Sequence, residues 1–415
     1  MPRRTTTTAT RGVKPPTRAA PQVRTGPASP PRSARRPARG GTKRDEDTPG
    51  RSAIKKAPPK RPAKAAVQKK SARAPVRAAG TPPDVEAQLM AIEGGDGDGD
   101  GELDLGGGRR LRVSSLRKIY FADIGATKGA VMRYYAHMSR YILPDIEGRP
   151  LILKRYPDGV GGEMFFQQDA GPHVPDVVRV GRVETVEKGT QDRIIGGDLA
   201  TLLYTVQLGA IEVHPWFSRV EDIEAADRCL IDLDPADGVP FAWVVELAQE
   251  IVRIARQCEL PVALKTSGSR GIHLVFPLPA RTTYATSQAL AELVARAASV
   301  ARPELATVER SIRSRPERSI YVDALQNAHG KSMAAAYSLR ARAAATVSAP
   351  LRNRELTPRL KLTGFTLATV PPRADRMGDI WREGLAVRPT ARALARAMAA
   401  LEGRRNEERG PRKKG

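Results

Sequence analysis

In the stretch CLIDLDP, Cys229–Pro235, two carboxylates interrupt an apolar run of the kind that forms a buried strand. In a strand, residues i and i+2 leave the same face, so Asp232 and Asp234 stand side by side. Two like charges about 4 Å apart repel by roughly 4 kcal/mol at an effective dielectric near 20. A shared proton or a bound cation must relieve that repulsion, and a single strand carrying both groups favours the cation. Hard divalent ions such as Mg²⁺ and Mn²⁺ take carboxylate oxygens. Asp323, at the end of the apolar strand in SIYVDAL, supplies the third carboxylate that a two-metal phosphoryl-transfer site would use. Taken alone, Asp-x-Asp also fits a solvated strand end or a helix cap at Asp234.

The stretch KTSGSRGIHLVFPL gives that pair its context. Two apolar strands flank the turn Ser267-Gly268-Ser269-Arg270-Gly271, whose small residues can aim backbone N–H groups at an anion. Lys265, Arg270 and His273 add donors around it. This is no Walker A loop, and Gly330-Lys331-Ser332 is not one either, because Leu325 holds the place of its upstream glycine. As a hairpin turn the stretch is ordinary; beside a carboxylate pair it reads as a triphosphate cradle.

The elements that position these groups mix strands and helices without a strict βαβ rhythm. PLILKRYPDG, EMFFQQD, GAIEVHPW, RCLIDLDP, PVALKTS, GIHLVFPL and SIYVDAL carry strand signals. Thr127 caps a helix with Val131, Tyr134, Tyr135, Met138 and Ile142 on one face, and further helices are expected over 241–258 and 284–301. The fold class is therefore α+β: a central, mainly antiparallel sheet flanked by helices, over 109–385. Residues 386–415 read as helical and then as a basic tail.

Charge is uneven along the 415 residues, whose net charge is +24. Residues 1–83 hold 22 Lys or Arg against Asp45, Glu46 and Asp47, and contain no Phe, Trp, Tyr or Leu. Such a Pro/Ala/Arg/Lys-rich arm cannot offset its ordering entropy and is expected to be disordered. It suits a polyanion, most often nucleic acid; a solubility tail or an organelle address are the alternatives. Residues 84–108 turn acidic and Gly-rich and read as a flexible linker. Asp96, Asp98, Asp100 and Gly101 imitate the start of a calcium loop, but Gly107 stands where the bidentate Glu belongs. Cys229 and Cys258 read as reduced core residues of an intracellular protein, and neither a zinc-spaced cluster nor a transmembrane run is present.

CLIDLDP, LKTSGSRGIHLVFPL and SIYVDALQNAHGKSMAAAYSLRARAAATVSAPL, in that order, resemble the polymerase domain of bacterial DNA ligase D, of the archaeo-eukaryotic primase superfamily. The similarity runs from about Leu111 to about Pro372 and includes LILKRYPDGVGGEMFFQQ and IEVHPWFSR. The resemblance implies a template-dependent nucleotidyltransferase that adds NTPs or dNTPs to DNA ends and gaps during non-homologous end joining, using two Mn²⁺ or Mg²⁺ ions. It makes Asp232, Asp234 and Asp323 the metal ligands and puts Ser267, Gly268, Arg270 and His273 in the triphosphate loop. Arg340 and His214 match further nucleotide-site residues, and Lys154 and Gln326 fall where the sugar or base is contacted. Phe165 and Phe166 match aromatics that stack on bases, although their alternation on a strand also places one of them in the core.

By the same resemblance, Ser115, Lys118 and Lys128 hold the 5′-phosphate of a downstream strand. The family has Asn at the place of Ser115, and Ser-Gly-Gly-Lys-Gly where this chain reads Ser-Gly-Ser-Arg-Gly. Gap preference and nucleotide affinity are the properties these departures touch. No Lys-x-Asp-Gly adenylation signature is present, so sealing is expected of a separate ATP-dependent DNA ligase, with a Ku-like end-binding partner and a cytoplasmic, nucleoid-associated setting. A primer-making replicative primase and an inactive end-bridging protein are the rival readings. His214 and His273 as buried structural histidines, and Lys118 and Lys128 as plain surface lysines, are the bland ones.

Overall fold

The computed structural model describes residues 84–185 and 189–408; the basic arm at 1–83 and the end of the basic tail lie outside these residues. The chain opens with helix α1 (Val85–Gly94) and strands β1 (Gly101–Asp104), β2 (Arg110–Val113), β3 (Ile119–Phe121) and β4 (Ala126–Thr127). Helix α2 (Lys128–Ile146) starts where the Thr127 hydroxyl accepts from Ala130 N at 3.0 Å. It buries Val131, Tyr134, Tyr135, Met138 and Ile142, the stripe that a 3.6-residue period aligns. Strands β5 (Leu151–Arg155) and β6 (Phe165–Gln167), the hairpin β7 (Val180–Thr185) and β8 (Gly189–Ile194), helix α3 (Leu199–Gln207) and strand β9 (Ala210–Pro215) follow.

The second half holds β10 (Arg228–Pro235), α4 (Phe241–Gln257), β11 (Ala263–Thr266), β12 (Ile272–Pro277), α5 (Tyr284–Ala301), β13 (Ala306–Thr307), β14 (Ile320–Asp323) and β15 (Pro350–Leu351). Helices α6 (Val370–Met377), α7 (Ile380–Leu385) and α8 (Ala391–Glu408) complete it. Six strands form one sheet in the order β13-β14-β10-β12-β11-β15, antiparallel except for the β13–β14 pair. The expected fold class is the one observed.

Period two gives β10 its two faces. Cys229, Ile231 and Leu233 are fully buried under α4 and α5, where the Cys229 thiol donates to Ser287 O at 3.3 Å. Leu230, Asp232 and Asp234 point the other way. Helix α4 meets the sheet through Val244, Ala248, Ile251 and Ala255, all buried, while Glu250 and Arg253 pair outside. Truncating a core residue such as Ile251 to Ala would cost about 2–5 kcal/mol. Both cysteines are buried and free. Among the described residues no helix is long and apolar enough to cross a membrane.

The sheet β6-β5-β9 is separate from the six-stranded one, and His214 of β9 shares a cavity with Asp232 and Asp234 of β10. The segment before β15 bridges the two: Ala335 N donates to Val213 O at 2.9 Å, and Val213 N to Ser338 Oγ at 3.0 Å.

Residues 84–108 are not a flexible linker. Asp84 caps α1 by accepting from Ala87 N at 3.0 Å, and Val85 and Leu89, four residues apart, are buried. Leu103 pairs with Leu111 across the β1–β2 hairpin, both buried. Glu93 binds Arg133 and Thr127 at the start of α2, in space left by Gly129, where a Cβ would collide with its carboxylate. The buried Val85, Leu89, Leu103 and Leu105, with the half-buried Glu93, suffice to fold a segment whose average composition is acidic and glycine-rich. The helix expected beyond residue 385 is α8, whose Leu394, Ala397 and Leu401 are buried against the body of the domain.

Candidate active site

Strand register assembles the site. Lys265 faces His273, His273 faces Asp232, and Asp232 faces Asp323, so four side chains form one row across β11, β12, β10 and β14. Directly opposed residues of an antiparallel pair stand about 4.5–5.5 Å apart at Cβ. Asp234 lies two residues along β10 on the same face, opposite Tyr321. The neighbouring cavity, about 320 Å³, is lined by Asp232, Asp234, His214, Gln326, Arg340 and Arg342 among others. Ser267, Ser269, Arg270, Gly271 and His273 form its loop side.

A hydrogen-bond chain sets the tautomer of His273. The Ser348 hydroxyl donates to Thr266 O at 2.8 Å, leaving a lone pair to accept from Lys265 Nζ at 2.7 Å. Lys265 Nζ lies 2.5 Å from His273 Nδ1. The Asp232 carboxylate, with Oδ1 3.4 Å from Nε2, draws the ring proton to Nε2 and leaves Nδ1 to accept from Lys265. Burial, reinforced by Arg340, lowers the Lys265 amine to about 7. Burial and the Lys265 charge bring His273 down to about 4. Burial pushes Asp232 up, but His273, Lys265 and Arg340 outweigh it and hold the carboxylate below its ordinary range. Asp234 is raised by burial and then by the charges of Asp232 and Asp323. The crowding expected from the sequence thus falls on Asp234.

The loop folds around one hydroxyl: Ser267 Oγ accepts from Ser269 N at 3.1 Å and from Gly271 N at 3.0 Å. Gly268 has φ 68° and packs so closely on Arg340 and Val347 that a Cβ would collide. At Gly271 a Cβ would strike the carbonyl oxygen of Leu233, between the two aspartates of β10. Arg340 donates to Ser267 O, and Arg342 to Ser269 Oγ at 2.5 Å. Arg270 pairs with Asp237 and reaches Asp234 at 3.6 Å.

Glu212 is the residue the sequence reading passed over. Almost fully buried, it accepts from His214 at 3.0 Å, Arg340 Nε at 2.9 Å, Lys154 Nζ at 3.2 Å and Ala341 N at 3.1 Å. Burial alone would raise its pKa; His214, Arg340 and Lys154 instead hold it far below the usual carboxylate range. Its signal was available in EVHPW, where Glu212 and His214 share a strand face. Lys154 does not line the cavity and is tied to it through Glu212. Lys265, read only as one of several nearby donors, is fully buried.

Gln326 lines the cavity and donates to Asp323 Oδ2 at 3.1 Å, while Asp323 Oδ1 accepts from Leu325 N at 2.8 Å. Phe165 and Phe166, on the edge strand β6, are 44% and 57% exposed, so neither is core and neither lines the cavity. The Arg155 guanidinium lies 4.9 Å from the Phe165 ring centre.

Ser115, Lys118 and Lys128 lie together, away from the cavity. Lys118 N donates to Ser115 O at 3.0 Å and Lys128 N to Lys118 O at 2.8 Å. Lys128 is buried, not a surface lysine; its Nζ donates to Ser114 O at 2.9 Å, and burial and Lys118 lower it to about 8.

Among the described residues no three His, Cys, Asp or Glu side chains are gathered as a ready-made metal centre. The donors nonetheless suit a hard divalent ion: three carboxylates share one sheet face, and two of them raise the proton affinity of the third.

Residues 127–381 match the family model described as the LigD primase-polymerase domain. The chain is 34% identical over 270 residues to the bifunctional non-homologous end joining protein LigD of Bacillus subtilis, covering 65% of this chain and 43% of that protein. It is 33% identical over 276 residues to the multifunctional LigD of Mycolicibacterium smegmatis, covering 65% and 35%. It thus spans less than half the length of these relatives. The solved polymerase domain from Mycobacterium tuberculosis ligase D in complex with DNA superposes with a TM-score of 0.62 at 31% identity, covering 68% of this chain and 99% of that one.

Proposed function

The chain belongs to the LigD primase-polymerase domain family, and from that premise we propose that it is a template-dependent nucleotidyltransferase of non-homologous end joining. It extends DNA ends and gaps with NTPs or dNTPs. The observation that carries this reading is the row Lys265–His273–Asp232–Asp323, whose Asp232 and His273 line one cavity with Asp234, Arg340 and the Ser267–Gly271 loop.

Asp232, Asp234 and Asp323 would hold two Mn²⁺ or Mg²⁺ ions, which activate a primer 3′-hydroxyl and offset charge on the reacting phosphate. The chain's own groups bind and orient. Arg340 and Arg342 brace the loop and present cationic N–H groups to a triphosphate. Arg270, resting between Asp237 and Asp234, is free to turn to the triphosphate when those carboxylates find another countercharge. His273 offers Nε2–H. Phe165 and Phe166 present exposed rings to bases, and Gln326 faces the nucleotide's sugar or base, with Lys154 acting from behind the cavity through Glu212. Ser115, Lys118 and Lys128 grip a downstream 5′-phosphate. A Ku-like end-binding protein and a separate ATP-dependent ligase are the proposed partners, in a cytoplasmic, nucleoid-associated setting.

The deciding experiment supplies gapped DNA, Mn²⁺ or Mg²⁺, and either ribo- or deoxyribonucleotides. Primer extension directed by the template base is expected. DNA binding without any extension would leave an inactive end-bridging protein in its place.

A further inference from the structure

Two of the three residues assigned to a 5′-phosphate, Ser115 and Lys118, are engaged by this chain's own acids. Asp100 Oδ1 accepts from Ser115 N at 2.7 Å, and Gly99 O accepts from Leu116 N at 3.1 Å, which lays the acidic turn along Ser115 and Leu116. Gly99, at φ 79°, fits so closely that a Cβ would sit 3.0 Å from Leu116 N. Lys118 Nζ donates to Asp158 at 2.6 Å. Lys128 feels Asp100 as well, since that carboxylate opposes the depression of its amine by burial and by Lys118. Ser115 itself has φ 58°, a region that Asn tolerates better than Ser, so the Asp100 contact also steadies the turn.

We propose that Asp100 is a specificity-determining residue that limits what the enzyme gains from a 5′-phosphate on the downstream strand. It occupies the Ser115 N–H and sets a negative charge beside Lys128, in the path of an entering phosphate. Resting on the polymerase reading, this names the regulation of one of its sites. An entering phosphate must displace Asp100 from Ser115 and Asp158 from Lys118, and it approaches a turn that also exposes Asp96 and Asp98. Like charges brought together at a binding surface select against the partner that carries them.

The test titrates full-length protein, without nucleotide, on gapped DNA whose downstream strand ends in 5′-phosphate or 5′-hydroxyl. Asp100→Asn keeps an acceptor for Ser115 N and removes only the charge. Its phosphate-over-hydroxyl affinity ratio should exceed the wild-type ratio roughly five- to tenfold. Asp100→Ala, which also frees the N–H, should raise the ratio at least as far. An unchanged or lower ratio in Asp100→Asn overturns the proposal and leaves Asp100 as a turn-stabilising residue. Extension of an open primer–template is measured on the same preparations. Its absence from wild-type protein would count against the polymerase reading, while the binding ratio would still decide the role of Asp100.

Discussion

In the cleft, Lys265, His273, Asp232 and Asp323 take their places from backbone pairing across four strands. At the proposed phosphate grip, Ser115, Lys118 and Lys128 take theirs from a turn and the start of a helix, held by side-chain contacts to Asp100 and Asp158. A strand cannot slip by one residue without turning its whole face away, so the row is fixed with the sheet. A turn held by a carboxylate can exchange that carboxylate for another anion. On the proposed function, chemistry that needs invariant spacing is built on register, and recognition that can be graded is built on replaceable contacts.

The largest effect should come from the row. Asp232→Ala or Asp234→Ala is expected to reduce primer extension by at least roughly a hundredfold, with binding of gapped DNA retained in a mobility-shift titration. Undiminished extension would break the assignment of the cleft to chemistry.

Glu212→Gln comes next, because it leaves Lys154, His214 and Arg340 around a neutral group. Nucleotide affinity should fall by on the order of 2–5 kcal/mol, read as a rise in KM with DNA affinity unchanged. A lower KM would make Glu212 a countercharge and not an anchor.

Lys265→Met probes the far end of the row. The proton of His273 should cease to be confined to Nε2, visible in ¹⁵N chemical shifts, and nucleotide KM should rise by about tenfold. There is also a pH signature. The folded amine at about 7 lies below the ordinary 10.5, so between those values the unfolded chain binds more protons and stability rises with pH. From about pH 7 to about pH 9 the wild-type protein should gain on the order of 2 kcal/mol more than Lys265→Met. Equal gains in urea unfolding would place the Lys265 charge outside the folding equilibrium.

The smallest effect belongs to the grip. Lys128→Ala should remove no more than about 1 kcal/mol of 5′-phosphate preference, measured as the affinity ratio on gapped DNA, while extension of an open primer–template persists.

Much of the cleft was legible because its strands are apolar runs interrupted by charge. RCLIDLDP and SIYVDAL announce both a buried strand and the reason to doubt that it is only structural. Local rules also found the Thr127 cap and the face of α2. What stayed hidden depends on pairing between distant segments. Nothing near Glu212 says that Arg340 and Lys154 will converge on it, and nothing near Lys265 says that Ser348 will stand on its other side. Residues 84–108 were misread for a different reason. Composition averages over a window, whereas Val85, Leu89, Leu103 and Leu111 act at particular positions against particular partners.

Gly271 brings no side chain to the cavity it lines, and that absence lets the cradle lie against the carbonyl of Leu233. On the proposed function, that contact would work as a spacer of fixed width between the donors for one end of a nucleotide and the acids that act on it. Any larger residue there would lengthen the gap without removing a single functional group. A library screened for activity would then report position 271 as intolerant as an aspartate of the row, although the defect would be one of distance.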